Sequence, residues 1–246
     1  MEDLTGRIHS VETFGTVDGP GIRFVIFFQG CALSVNIVII ETLGTLIPGN
    51  PVKVSELIDR IKKYEKYIKL SKGGVTASGG EPLLQPKFLI SLFTELKNLG
   101  FHTALDTSGM FPLTDEIKQV LSLTDLVLLD IKHINDEKCK DLVGFSNKLE
   151  LEFARYLNDN NIPMWIRQVL IPGYTDDEKD LIDLKNFLKT LKTTFIRLPV
   201  LFLYAFTIST AISAARSFGN INTPVEMQQK AMDSKFFSSA ASRQDW

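Results

Sequence analysis

At 246 residues the chain has the size of one large α/β domain or two small ones, and 44% apolar against 23% charged residues is ample for a buried core. A formal net charge of −2 with no long basic run argues against nucleic acid as an obligatory partner. Two cysteines, Cys31 and Cys139, cannot build a disulfide framework, and the N-terminus has no cationic-then-apolar export pattern, so a reducing cytoplasm is expected.

The first predicted strand, over 23–29, follows the text Thr16-Val17-Asp18-Gly19-Pro20-Gly21-Ile22 and runs into Gly30-Cys31. A helix over 54–67, opening at Ser55, sets Leu57, Ile58, Ile61 and Tyr64 on one face at three- and four-residue spacing. A strand over 74–78 precedes Gly79-Gly80-Glu81, and a helix over 88–99 carries Leu89, Leu92, Phe93 and Leu96 before Gly100 stops it. Strands over 102–106 and 126–130 end in Thr107-Ser108-Gly109 and Lys132-His133. A helix over 149–158, a strand over 164–170 before Pro172-Gly173 and a helix over 176–191 complete the series. Short apolar runs alternating with amphipathic stretches indicate βα units and a parallel sheet. In such a sheet closed into a barrel, the strand C-terminal ends form the active-site face.

Beyond Thr193 the pattern fails. Residues 198–215 are uncharged and reach the length at which a membrane helix becomes a candidate, but Pro199 and the hydroxyls of Thr207, Ser209, Thr210 and Ser213 weaken that case, and no membrane span is expected. The Ser/Ala/Gln-rich stretch 217–246 reads as poorly ordered. Two regions follow, a barrel over 1–192 and a divergent segment over 193–246.

The text from Gly6-Arg7-Ile8-His9-Ser10 through Asp18-Gly19-Pro20-Gly21-Ile22-Arg23-Phe24 to Phe27-Phe28-Gln29-Gly30-Cys31 resembles the start of the glycyl-radical-enzyme activating family, on its pyruvate formate-lyase branch, within the radical S-adenosylmethionine superfamily. The resemblance covers residues 6–33 and about 48–192, and it implies a partial parallel (β/α)6 barrel of the TIM type. It also implies two cofactors, a 4Fe-4S cluster held by three cysteines and S-adenosylmethionine chelated to the open iron. In that family the first cysteine continues as C-x3-C-x2-C-H-N, whereas here Val35 and Val38 stand at the second and third positions. Cys31 is the one remaining metal ligand of the set, and valine donates no electron pair to iron, so cluster binding by this chain is not expected.

The substituted stretch has a specific form. Coding the family text Arg-Cys-Lys-Tyr-Cys-His-Asn-Arg-Asp-Thr-Trp-Asp with suitable synonymous codons and deleting one base of the first gives Ser-Val-Asn-Ile-Val-Ile-Ile-Glu-Thr-Leu-Gly-Thr, which is residues 34–45 as they stand. The pattern is that expected of a single-base deletion compensated near residues 46–49, the hypothesis for the loss of both cysteines.

Three further motifs carry the expected ligand chemistry. In Gly74-Val75-Thr76-Ala77-Ser78-Gly79-Gly80-Glu81-Pro82, glycine lets the backbone approach a ligand closely, and the resemblance assigns Gly80, Glu81 and their neighbours to the amino group of S-adenosylmethionine. Asp130-Ile131-Lys132 ends one strand and Asp106 another; read alone they form a rim salt bridge or a zwitterion site. By resemblance Lys132 pairs with the ligand carboxylate, Asp130 with its ribose or a bound cation, Asp106 joins that site, and Ile131 belongs to the same contact. Arg167, inside the otherwise apolar Met164-Trp165-Ile166-Arg167, reads alone either as an outward rim charge or as an inward cation, which is rare without an anionic partner; by resemblance it reaches the ligand carboxylate or ribose. His9, Asp18 and Arg23 would line the protein-substrate side, with His9 read as structural. A C-terminal histidine expected for the family is missing, since His9, His102 and His133 all lie earlier.

The function implied by the resemblance is activation of formate acetyltransferase by abstracting hydrogen from one backbone glycine. Flavodoxin or ferredoxin would be the electron donor, and the protein a monomer. With two cluster cysteines missing, this chain itself is expected to be inactive; the competing reading is a non-catalytic remnant that binds S-adenosylmethionine or the partner.

Overall fold

The structure, a computed structural model, describes residues 3–30, 49–170, 173–191 and 200–202. The chain divides into two compact units, Met1–Leu201 and Phe202–Trp246, and all the described residues but Phe202 lie in the first. Cys31, residues 34–45 and the segment from 203 onward lie outside the described residues.

Eight strands form one sheet in the order β3-β1-β2-β4-β5-β6-β7-β8. They are β1 (Thr5–Gly15), β2 (Arg23–Phe28), β3 (Asn50–Lys53), β4 (Gly74–Gly79), β5 (His102–Thr107), β6 (Leu126–Asp130), β7 (Met164–Leu170) and β8 (Val200–Phe202). From β2 to β7 the neighbours run parallel, whereas β1 pairs antiparallel with both β2 and β3. The parallel run, with helices between its strands, is the partial (β/α) barrel expected. The antiparallel extension was not expected: β1 buries Gly6, Ile8 and Gly15 while most of its other residues face water.

The parallel register fixes two faces. Phe24 pairs with Val75, Val75 with Thr103, Leu105 with Val127 and Val127 with Met164, so these residues share one side of the sheet. That side joins Ile26, Phe28, Ala77, Leu129 and Ile166 in the main core, beneath the helices. The first, α1 (Val54–Lys62), buries Val54, Leu57, Ile58 and Ile61; α2 (Glu65–Leu70) buries Ile68. The predicted single helix over 54–67 is therefore two, because Tyr64 leaves helical geometry and its ring packs against Phe14 and Phe24. The start also differs: no side chain caps α1 from within, and the Asp3 carboxylate instead accepts from the Ser55 N–H and hydroxyl.

The next helix, α3 (Pro86–Asn98), buries Phe88, Leu89, Leu92, Phe93 and Leu96. Two helices not read from the sequence follow, α4 (Asp115–Ser122) and α5 (Asp136–Val143), each eight residues long. Both carry explicit N-caps: Thr114 Oγ1 accepts from the Ile117 N–H, and Asn135 Oδ1 from Glu137 and Lys138. Gly144, at φ +79°, ends α5 in the left-handed conformation, its N–H donating to Lys140. Helices α6 (Lys148–Asp159) and α7 (Glu178–Thr190) fall where expected, the latter capped by Asp177.

Candidate ligand site at the strand ends

The inner face of the sheet is graded from floor to mouth. At the floor lies Arg23, fully buried; its Nε donates to Thr76 Oγ1 at 2.9 Å, its Nη2 to the Val75 carbonyl at 2.7 Å, and its Nη1 lies 3.2 Å from His102 Nδ1. Burial holds the guanidinium down to about 10, and burial together with Arg23 keeps His102 below the ordinary imidazole range. This corrects the placement of Arg23 on a partner-facing surface: it plugs the bottom of the barrel. Above it, Ala104, Leu126, Leu128 and the half-buried Trp165 make an apolar belt. His9 stays on β1, its Nδ1 2.9 Å from Ser10 Oγ.

A second charged group lies at the mouth, where Asp106 and Asp130 near the ends of β5 and β6 meet Lys132 just beyond β6 and Arg167 from the middle of β7. Register places Asp130 directly opposite Arg167, and Asp106 opposite Leu128. Arg167 Nη2 donates to Asp106 Oδ1, and Ser78 Oγ donates to Asp106 Oδ2 at 2.7 Å. Lys132 Nζ donates to Asp130 Oδ2 at 2.5 Å. Arg167 thus points inward and has its anionic partner. Burial opposes the Asp130 charge, yet Lys132 and Arg167 outweigh it and hold the carboxyl below the usual range. Burial likewise opposes the Lys132 charge and is outweighed chiefly by Asp130, which raises the ammonium. Asp18, half-buried in the loop between β1 and β2, is pushed up by burial and by Asp106. One oxygen of this cluster, Asp130 Oδ1, is buried with no hydrogen-bond partner among the described residues.

The Gly79-Gly80-Glu81 turn stands beside this cluster, stitched to the lead-in of the Cys31 loop. The Gly80 N–H donates to the Phe28 carbonyl at 3.0 Å and the Glu81 N–H to the Gly30 carbonyl at 2.7 Å. A Cβ on Gly80 would lie 2.0 Å from that same Gly30 oxygen, so only glycine fits. Glu81 is 2% exposed and its carboxylate is engaged by the protein itself: Thr107 Oγ1, the Ser108 N–H, Ser108 Oγ and the Leu83 N–H all donate to it. Burial raises its carboxyl despite those bonds. Glu81 therefore ties the turn to the end of β5. Ile131 is fully buried in the helix-side core and donates its N–H to the Arg167 carbonyl at 2.8 Å.

Several positions that shape the site were not singled out from the sequence. Ser78 orients Asp106, Thr107 and Ser108 hold Glu81, and Asn147 Nδ2 donates to the carbonyls of His133 and Ile134 at 2.9 and 2.6 Å. The signal available for the first three was their place in hydroxyl-bearing text at strand ends.

The thiol inventory does not fit an iron-sulfur cluster. Of the two cysteines, Cys139 is buried on α5 among Leu142, Val143 and Met110, and burial pushes its thiol up to about 12. No group of three His, Cys, Asp or Glu side chains among the described residues could hold a metal ion. Cys31 would be left with no second or third thiolate. Among the described residues, no helix is long and apolar enough to cross a membrane; of the uncharged stretch 198–215, only 200–202 is described.

Residues 29–184 match the Radical SAM superfamily. A pyruvate formate-lyase-activating enzyme of Staphylococcus aureus is 47% identical over 194 residues, 76% of this chain and 77% of that protein. The same-named protein of Listeria monocytogenes is 45% identical over 196 residues, 78% of this chain and 79% of its own length. Among solved structures, a domain of pyruvate-formate lyase-activating enzyme from Bacteroides vulgatus superposes with TM-score 0.50 at 27% identity, covering 58% of this chain and 91% of that one. Streptococcus suis SuiB bound to precursor peptide SuiA, at TM-score 0.60 and 16% identity over 74% of this chain and 39% of that one, shares the fold. The chain belongs to the pyruvate formate-lyase-activating enzymes of the radical SAM superfamily, with two of the three cluster cysteines of that family replaced by valine.

Proposed function

We propose that this chain binds S-adenosylmethionine at the mouth of the barrel but does not carry out the activation of formate acetyltransferase that its relatives' names denote. The observation that carries the reading is the mouth cluster: two cations and two carboxylates from β5, the end of β6 and the middle of β7 converge beside an apolar belt, with Asp130 Oδ1 buried and without a hydrogen-bond partner among the described residues. A ligand bearing an ammonium, a carboxylate and ribose hydroxyls complements such a set. Lys132 and Arg167 would take its carboxylate, Asp130 and Asp106 its hydroxyls, and the Gly80 turn its amino group. Glu81, with its oxygens engaged by Thr107 and Ser108, holds that turn in place.

A 4Fe-4S cluster would supply the electron that cleaves the sulfonium, but the donors present do not fit it. What remains is a monomeric cytoplasmic protein that keeps the ligand side of the family's site. Its intact relatives would draw electrons from flavodoxin or ferredoxin and act on formate acetyltransferase as the protein partner.

The discriminating experiment is anaerobic reconstitution with iron and sulfide, followed by equilibrium dialysis against labelled S-adenosylmethionine. The expected result is ligand binding that Arg167→Ala abolishes, with no cluster absorbance and no 5′-deoxyadenosine formed. A chain that acquired the cluster spectrum and cleaved S-adenosylmethionine would overturn the inactive reading. Sequencing the gene across the codons for 33–50 tests the origin of the altered loop: shifted cysteine codons are expected, and their absence would remove the frameshift.

A further inference from the structure

Glu150, on α6, is 0% exposed, yet it is no part of the mouth cluster and no salt bridge among the described residues includes it. Its Oε1 accepts one hydrogen bond, from the Lys132 N–H at 3.2 Å, and its Oε2 is buried with no partner among the described residues. A carboxylate ionised in such a place would carry a full charge with a single hydrogen bond, a costly state that a proton relieves. Three groups face it: Asp130 and Lys132 at the end of β6, and Cys139 on α5. Lys132 offsets it only in part, because its ammonium is already paired with Asp130 at 2.5 Å. Burial first, and Asp130 second, push the Glu150 carboxyl well above the ordinary range.

Its neighbour in the chain behaves alike. Asn147, one turn earlier, donates to the carbonyls of His133 and Ile134. The N-terminal turn of α6 therefore grips three consecutive residues that follow β6, beginning with the one whose ammonium faces the mouth.

We propose that Glu150 is a positioning residue for Lys132, working as an uncharged acid: Oε1 fixes the Lys132 peptide while a proton on Oε2 leaves Asp130 as the carboxylate that sets the Lys132 ammonium. The inference rests on the reading of Lys132 as the anchor of a ligand carboxylate. An ionised Glu150 would draw the ammonium away from such a ligand and repel the ligand itself. Proton retention and ligand affinity are then linked. Because the folded Glu150 titrates higher than an ordinary glutamate, affinity is full at low pH and is lost as pH rises through that elevated value.

The test uses the full chain, Glu150→Gln and Glu150→Ala, with labelled S-adenosylmethionine in equilibrium dialysis from about pH 6 to about pH 9, the range in which buried glutamates titrate. Glu150→Gln keeps a neutral acceptor and is expected to bind within about twofold of the wild type near neutrality, without the decline at high pH. Glu150→Ala loses the peptide anchor and should bind about tenfold more weakly, the worth of one hydrogen bond to a buried group. Infrared spectra should show a protonated-carboxyl band near neutrality that Glu150→Gln removes. Amide exchange at Lys132 should accelerate in Glu150→Ala and not in Glu150→Gln. Glu150→Gln binding as poorly as Glu150→Ala, or a wild type without the carboxyl band, would overturn the proposal. If none of the three proteins binds S-adenosylmethionine, the ligand reading falls. The band and the Lys132 exchange rates still decide whether Glu150 holds this peptide as a neutral acid.

Discussion

The two faces of the parallel sheet are built on opposite rules. The outer face, from Phe24 on β2 to Ile166 on β7, lies beneath helices, and its apolar residues interlock with theirs. The inner face changes character from floor to mouth, from the buried Arg23 through the belt of Ala104, Leu126 and Leu128 to the ionic cluster. A face covered by helices is specified by volume and hydrophobicity. A face that opens to a ligand is specified by which charge answers which, and it tolerates little one-sided change.

That contrast makes graded predictions. On the outer side, Phe153→Ala empties a fully buried ring and is expected to cost about 3–5 kcal/mol in urea denaturation, with the mouth unaffected. On the inner side, Asp130→Asn leaves Lys132 without its partner and should cost about 3 kcal/mol, while adding Lys132→Met should restore most of it, since an apolar pair can replace a buried ionic one. Failure of that rescue would show that the mouth is held by packing as the outer face is. The smallest effect concerns His133, 1% exposed, whose Nδ1 accepts from the Asn135 N–H while Nε2 faces the Tyr174 carbonyl at 3.3 Å. Burial depresses this imidazole below its ordinary 6.5, although Asp180 acts the other way. Its contribution to stability is therefore present above 6.5 and lost as pH falls through the lower folded value, and His133→Gln should flatten the acid limb of a thermal-melt profile.

The parallel strands were legible in the sequence because each is a compact apolar run bounded by polar or glycine text; β6 and β7 end where the sequence places them. The edge was not legible. In β1 most residues are exposed or half-buried and in β3 none is buried, so neither produces the apolar run by which the inner strands announce themselves. The helices α4 and α5 span barely two turns each, too short for a periodicity argument, although Thr114, Asn135 and Gly144 were capping signals in plain view. The charged residues of the mouth could be named from their positions at strand ends. Their pairing could not, since Asp106 meets Arg167 across 61 residues of chain through the order of strands alone. Glu150 was invisible for the reverse reason: on a helix it reads as solvated charge, and only the packing of α6 against the end of β6 buries it.

The contact of Gly80 with Gly30 bears on what the altered loop leaves in place. There two peptides touch with no side chain between them, one glycine resting on the carbonyl of another. A join of that kind asks nothing of the residues that follow, so rewriting the stretch after Cys31 leaves the mounting point intact while removing what was mounted on it. Returning Cys-x2-Cys-His-Asn to positions 35–40 would therefore be a graft onto a surviving socket, rather than the rebuilding of a fold.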